Sequence, residues 1–411
     1  MKIVVVGAGV VGLAVAHALV DEGHAVTVVD REGPAAGASR GNAGWLAHTD
    51  IDPIASPKML RQVPKFLLDP LGPLSIRPSY LPRLMPWLTR LVLASRPSQL
   101  ARSVEALVAL QRLAMPAWDR LASELDLSRL IHKRGALFVF DGEQAFALGK
   151  PHFEKQRALG IACDFLGAAD LRALEPGLSE RIVAGAFFPD AAHVADPLVV
   201  TQALFDAALA RGVAFARADI VAIEPGPPCR AVAADGAAFE ADAAVLCAGA
   251  WSKPLAARLG DAIPLDTERG YNVSFPGVTG VLSRPVAFQG HGFVATPLDT
   301  GLRIGGAVEL AGLELPPNHA RSRALHAKAS RFLRGLPAYD AGTPWMGFRP
   351  SIPDSLPVIG RSRAAPHVLY AFGHGHYGLT QSAATARIVA ALAAGREPPI
   401  DLARFSPHRF H

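Results

Sequence analysis

Two glycine-rich stretches and a few titratable side chains carry whatever chemistry this chain performs. The first is Gly7-Ala8-Gly9-Val10-Val11-Gly12, followed by Asp30. In a G-x-G-x-x-G run the first glycine permits a tight turn, the second lets backbone approach a pyrophosphate, and the third lets a helix pack on a strand. Exposed N–H groups and the positive end of the helix dipole then face the anion. An acid in the position of Asp30 accepts hydrogen bonds from a ribose. The second stretch is Gly373-His374-Gly375-His376-Tyr377-Gly378, which can aim another helix N-terminus at an anionic or electron-rich ligand atom. His374 and His376 have no Cys, Asp or Glu companion in that loop, so they read as cofactor-side or ordinary loop histidines, and no metal site is expected.

Those residues need elements to hold them. Lys2 to Val6 reads as a short buried strand, the glycine turn opens a helix, and Ala25 to Val29 is a second strand ending on Asp30, which together make a βαβ unit for a dinucleotide. A glycine turn where a strand simply meets a helix is the competing reading, but strand, turn, helix, strand and acid all agree. In the following loop Gly37, Ser39, Asn42, Ala43 and Gly44 can offer amides and short side chains to phosphate oxygens, though by spacing alone the run also suits a surface loop. A strand from Ala241 ends at Ala248-Gly249-Ala250-Trp251-Ser252, either a second close backbone approach or another strand-to-helix turn. Val368 to Phe372 is expected as a strand leading through the second glycine stretch into a helix from Leu379 to Ala394.

Between these lie helical spacing over 99–126, a polar helix near 143–159 and strand-like runs from Gly135. Asp196 to Arg211 reads as a helix with Asp196 as N-cap, Pro197 at its first position and Gly212 at its end. Short strands and turns alternate over 263–310, and Asn318 to Gly335 reads as a basic helix. Residues 57–98 combine Lys58, Arg61, Lys65, Arg77, Arg83, Arg90 and Arg96 with a lone acid, Asp69, amid prolines and apolar residues. One reading is an interfacial surface for anionic lipid or an electron-accepting partner; the other is a set of short helices over the cleft with a solvated basic face.

With 411 residues, half of them hydrophobic, the chain can build two domains, or one nucleotide domain carrying a second lobe. The formal net charge of +5, from 41 basic and 36 acidic residues, comes with no basic tail and no interleaving of basic and aromatic residues, so nucleic acid is not an expected partner. Cys163, Cys229 and Cys247 are an odd, widely spaced set that suits neither zinc nor a disulfide framework, and they read as reduced thiols of a cytoplasmic protein. The apolar start lacks a signal-peptide cleavage pattern and no run is long enough for a transmembrane helix, which leaves at most a peripheral contact with the inner membrane face.

Taken together, G7-A-G-V-V-G12, Asp30, G37-A-S-R-G-N-A-G44, C247-A-G-A-W-S252, F348-R-P-S-I-P-D-S-L-P-V-I-G360 and G373-H-G-H-Y-G-L-T380 resemble the FAD-dependent D-amino-acid oxidase superfamily, and within it the bacterial D-amino-acid dehydrogenases. The resemblance runs the length of the chain. It implies an α/β fold: a Rossmann-like FAD-binding domain assembled from residues 1–56, 192–262 and 340–411, with an inserted α+β mixed-sheet substrate domain from 57–191 and 263–339. It implies FAD held by Gly7, Ala8, Gly9, Val10, Val11, Gly12, Asp30, Arg31, Ser39, Asn42, Ala43 and Gly44, with Val221 beside adenine and Gly249 and Trp251 approaching from the far strand. Gly373, Gly375, Tyr377, Gly378, Leu379 and Thr380 would lie along the isoalloxazine. Residues 41–57 and 67–78 look most like the D-hydroxyproline dehydrogenase branch, although His48 departs from that pattern. No cysteine follows Cys247, which excludes a C-terminal cysteinyl flavin link and leaves His48 as the remaining candidate for one.

The reaction so implied is oxidation of a D-amino acid to its imine by hydride transfer to flavin N5, with a cyclic secondary amine such as D-proline or cis-4-hydroxy-D-proline favoured. It requires a carboxylate anchor and a neutral amine, and with the amine neutral no dedicated base is needed. Arg349 is the anchor, since a guanidinium matches a carboxylate bidentately where lysine cannot; a structural ion pair is its alternative role. Tyr271 is a second pocket contact, and His376 or Tyr377 stands near the reacting nitrogen. Electrons would pass to a quinone, another carrier or oxygen. Alternatives are an oxidase for glycine, sarcosine or another small amino acid, a flavin-bearing electron-transfer subunit of an opine or amine dehydrogenase complex, and a nicotinamide dehydrogenase, the last of which leaves residues 373–380 unexplained.

Overall fold

A computed structural model of the chain describes residues 1–56, 63, 69 and 71–410. The run Ile3-Val4-Val5-Val6 is buried along its length, as expected of a parallel strand covered on both faces. It lies inside a six-stranded sheet in the order 214–217, 25–30, 2–6, 243–246, 368–372, 358–361. The first five strands are parallel, and only Val358–Arg361 runs against its neighbour. Strands far apart in sequence thus bring the ends of 2–6, 243–246 and 368–372 to one edge, the place where open α/β sheets bind ligands.

Helices Val10–Asp21 and Gly378–Ala393 pack side by side on one face of this sheet, and Pro97–Glu124 packs on the second of them. Its Trp118 Nε1 donates to the Leu379 carbonyl at 2.9 Å. The long helix expected within the substrate domain therefore shares the core of the nucleotide domain. On the other face lie Ser252–Arg258 and a three-stranded sheet of 220–224, 229–233 and 238–241. The expected helix at Asp196 begins as foreseen: Asp196 Oδ1 accepts from the Leu198 amide at 2.8 Å and Pro197 is the first helical residue.

The second body is a nine-stranded mixed sheet. Thr343–Ser351 pairs antiparallel with Asp266–Pro276, setting Arg349 opposite Glu268 and Met346 opposite Tyr271. This strand was expected within the nucleotide domain beyond residue 340. Its hydrogen bonds place it in the larger sheet, and the chain returns to the nucleotide sheet only at Val358. Gly301–Leu310 pairs on the other side of Asp266–Pro276, with an irregularity between Arg269 and Tyr271. The basic helix expected over 318–335 is confined to Ala320–Ala329, because the chain then turns Phe332 and Leu333 into the core of this domain. Of the basic segment 57–98, residues 57–62, 64–68 and 70 lie outside the described residues. Its described part includes helix Leu81–Ala94, which buries Leu84 and Trp87.

Candidate functional site

Two glycines of the first turn, Gly7 and Gly12, stand where a side chain would not fit. A Cβ on Gly12 would stand 1.9 Å from the Gly7 carbonyl oxygen, so helix Val10–Asp21 lies on its strand only without one. Gly7 holds φ +114°, and a Cβ there would stand 2.5 Å from the Cys247 carbonyl oxygen on the neighbouring strand. The Ser39 hydroxyl accepts from the Val10 amide at 2.9 Å, which brings the small-residue loop onto the helix N-terminus. Asp30 Oδ2 accepts from the Ala8 amide (2.8 Å), and Oδ1 from the Glu32 and Gly33 amides (2.9 Å each). The acid expected on the ribose thus also shapes the turn around it.

Beside it the Arg31 guanidinium lies 3.9 Å from the centre of the Trp251 ring, which meets Phe348 edge-on at 5.6 Å. The Asn42 side chain closes its own loop, accepting from the Gly44 amide at 2.9 Å. Two side chains from the substrate-domain sheet pin that loop: Arg303 Nη1 donates to the Asn42 carbonyl (2.7 Å) and Asn272 Nδ2 to that of Gly41 (2.6 Å). Arg303 is buried against Asp196 at 3.3 Å, tying the loop of residues 37–44, the larger sheet and helix Pro197–Ala210 together.

One continuous cavity of ≈ 1350 Å³ runs from Gly9, Asp30 and Val221 to Arg349 and His376. Small-molecule sites commonly occupy about 300–1,000 Å³, so there is room for a dinucleotide and a small substrate together. Gly7, Val10, Val11, Arg31, Ser39, Asn42, Ala43, Gly249 and Trp251 lie along it, as do Gly373, Gly375, Tyr377, Gly378 and Leu379 at the other end. Ala8, Gly12, Gly44 and Thr380 stand behind the wall, where Thr380 Oγ1 accepts from the Ala47 amide at 3.0 Å. Trp45 Nε1 and Asn272 Oδ1, on two residues of the wall, are buried with no partner among the described residues, as suits a wall that meets a polar ligand. The cradle fits FAD along its length.

At the far end the substrate-domain sheet presents Arg349. Its guanidinium crosses Gly270, and Nη1 donates to the Ala307 carbonyl (3.0 Å) on the strand beyond. Burial presses its pKa below the ordinary arginine value, and Glu268 opposes that shift. Glu268 is buried; Oε2 is 2.8 Å from His376 Nε2, and Oε1 accepts from the Ser351 hydroxyl at 2.5 Å. Burial works to raise this carboxyl, but His376, Ser351 and Arg349 outweigh it and hold it below the usual glutamate range. The structure therefore brings Arg349 and His376 together through an acid that no motif flagged, although it lies two positions from Gly270 on the same face of a strand.

Tyr271 is not brought to this cluster. Strand alternation turns its side chain to the opposite face, where the hydroxyl donates to Glu309 Oε2 (2.5 Å) and accepts from the Asn318 amide (3.0 Å). Its ring packs among the residues under helix Ala320–Ala329. His374 likewise turns inward: Nε2 lies 3.0 Å from Thr385 Oγ1, and burial pushes the imidazole down to about 3. His48 does not border the cavity; its Nδ1 lies 3.3 Å from the Leu46 carbonyl.

A family model described as DAO, FAD dependent oxidoreductase, matches residues 2–392. A D-amino-acid oxidase of Bradyrhizobium diazoefficiens is 39% identical over 99% of this chain and 98% of its own. D-amino acid dehydrogenase 2 of Ralstonia nicotianae is 32% identical over 99% of each. Among solved structures, glycine oxidase from Geobacillus kaustophilus superposes with a TM-score of 0.76 at 21% identity over 98% of both chains. L-proline dehydrogenase from P. horikoshii does so with a TM-score of 0.75 at 20% identity, over 100% of this chain and 97% of its own. The two structures share the fold.

Proposed function

Because the chain belongs to the DAO family of FAD-dependent oxidoreductases, we propose that it oxidises D-amino acids at the cavity end occupied by Arg349 and His376. The observation that carries the reading is the position of Arg349: a guanidinium laid across Gly270, on the wall of the cavity that begins at the G-x-G-x-x-G turn. Two of its relatives are named a D-amino-acid oxidase and a D-amino acid dehydrogenase, and both match along almost the whole of this chain.

When bound, FAD supplies the acceptor for the hydride that leaves the substrate Cα. The chain's own residues supply the rest. Arg349 binds the carboxylate through paired N–H donors. Gly270 leaves the space that the guanidinium crosses, while Glu268 supports the positive charge of Arg349 and holds His376. The product is an imine, which hydrolyses to a 2-oxo acid and ammonia when the amine is primary and persists as a cyclic imine when the substrate is proline-like.

Within this class the preferred substrate is a cyclic secondary amine such as D-proline or cis-4-hydroxy-D-proline, a reading supported by the residue pattern over 41–57 and 67–78. The acceptor is a quinone or another carrier, with oxygen as the alternative. Among the described residues no helix is long and apolar enough to cross a membrane. A peripheral contact through the basic segment 57–98 and a cytoplasmic location are the accompanying proposals.

The experiment is an anaerobic flavin-bleaching screen of the purified yellow protein against D-amino acids, including D-proline and cis-4-hydroxy-D-proline, with glycine, sarcosine and L-amino acids beside them. Bleaching by D-amino acids is the expected result; bleaching by none of them sinks the reading. Repeating turnover with oxygen and with an artificial acceptor separates oxidase from dehydrogenase.

A further inference from the structure

Asp50 is a charged group on the same cavity wall that the reading above leaves without a role. Its segment is held from three elements. The Ala47 amide donates to Thr380 Oγ1 (3.0 Å), at the start of helix Gly378–Ala393. From helix Pro97–Glu124, Gln111 Nε2 donates to the carbonyls of Ala47 (3.1 Å) and Asp50 (2.9 Å). From helix Glu143–Ala158, Gln156 Nε2 donates to the Thr49 carbonyl at 2.9 Å. The carboxylate is therefore presented by a braced segment, not by a free loop.

Among the described residues, no donor reaches the Asp50 side chain. The neighbouring acid, Asp52, lies 2.9 Å from His152 Nδ1 on helix Glu143–Ala158. The titratable groups around Asp50 are His152, Asp52 and, from the second glycine loop, Tyr377. Helix Pro97–Glu124 meets the segment through the uncharged Gln111. Burial, with Asp52 adding to it and His152 opposing it, pushes the Asp50 carboxyl up to about 7. A carboxylate that gives up water without gaining a donor costs free energy, and a ligand bearing a cationic donor removes that cost.

We propose that Asp50 recognises the substrate amine, pairing with its ammonium in the initial complex while Arg349 holds its carboxylate and accepting one N–H proton before hydride leaves Cα, so that the cavity reads both ends of an amino-acid zwitterion. This rests on the amino-acid reading above. It makes Asp50 a specificity-determining residue: carboxylates of the same shape that lack the amine are discriminated against on this wall.

The test is calorimetric titration of the FAD-loaded protein with two probes, 2-aminoisobutyrate and isobutyrate. The first carries the amine but no hydrogen on Cα, so it binds without being oxidised; the second lacks the amine. Unmodified protein is expected to bind 2-aminoisobutyrate at least ~10-fold more tightly than isobutyrate at pH ~8, a preference of the size one charge-assisted pair provides. Asp50→Asn removes that preference and leaves isobutyrate affinity unchanged. The preference in unmodified protein fades as the pH falls through about 7, where Asp50 takes up a proton, and the variant shows no such change. If Asp50→Asn fails to retain flavin, Asp50→Ser is titrated in its place.

An Asp50 variant that keeps the preference overturns the proposal, and so does unmodified protein that shows none. Failure of the underlying reading is a separate result: no D-amino acid then bleaches the flavin of the unmodified protein.

Discussion

The guanidinium of Arg349 rests over the bare α-carbon of Gly270: a methyl group built on Gly270 would stand 2.3 Å from Arg349 Cζ. The two residues sit on adjacent strands of the larger sheet, and the lack of a side chain on one sets the reach of the other. Arg349→Lys or Arg349→Ala is expected to raise KM for the amino-acid substrate at least ~10-fold, since a lost charged bidentate contact is worth ~1.5–3 kcal/mol. Gly270→Ala is expected to raise KM while leaving flavin content intact. Unchanged KM and kcat in the Arg349 variants would remove this residue from the site.

Tyr271 supplies the converse. Its hydroxyl serves Glu309 and the Asn318 amide, so Tyr271→Phe is expected to lower the melting temperature and leave KM and kcat within about two-fold of the unmodified protein. The stability loss should be about 1–3 kcal/mol, the cost of leaving a buried partner unsatisfied. A large rise in KM with unchanged stability would return Tyr271 to the substrate pocket.

Glu268 links stability to acid. Its folded-state pKa is held below the ordinary glutamate value, so its contribution is complete above that value and is lost as the pH falls through the folded one. Glu268→Gln should therefore be less stable than the unmodified protein at neutral pH, with the gap narrowing below about pH 4.3. Urea midpoints measured from neutral pH into the acid range check this; a gap that is constant with pH contradicts it.

The cofactor cradle is tested through its glycines. Gly9→Val is expected to fold but lose flavin, because the added side chain fills the phosphate approach, where Ser39 Oγ already lies 3.1 Å from a built Cβ. Gly12→Ala disturbs the helix itself, with its methyl 1.9 Å from the Gly7 carbonyl oxygen, and should yield little folded protein. Flavin absorbance per protein and circular dichroism separate the two outcomes. A fully yellow Gly9→Val protein would contradict the placement of the cofactor.

His374 makes a different pH prediction. Burial lowers its folded pKa to about 3, against roughly 6.5 in the unfolded chain, so between those values the unfolded state binds more protons. The histidine contributes a loss of stability as the pH falls through that window. His374→Asn, which retains a donor for Thr385, is expected to show a shallower decline between about pH 6.5 and 5 in urea titrations. An unaltered slope would show that His374 is not the group responsible.

The nucleotide half of the site is legible in the chain because its signals are local. Gly7, Gly9, Gly12 and Asp30 fall within one βαβ unit, where strand, turn and helix residues constrain one another over a few positions. The capped start of helix Pro197–Ala210 was readable for the same reason. What only the tertiary structure decided is which side chains meet at the other end. Glu268 and Arg349 face one another through the register of two strands whose pairing partners lie far apart in sequence. A shift of one residue in that register would exchange the faces of the sheet. Strand alternation therefore directs the Tyr271 hydroxyl to Glu309 while Tyr271 itself still borders the cavity, and turns Glu268 toward His376, while helix packing braces the segment that carries Asp50. The sequence alone determined the strand, glycine turn and helix of a dinucleotide-binding unit, because their constraints fall within one contiguous stretch. Arg349, Glu268, His376 and Asp50 come from separate elements, and only folding brings them to one cavity.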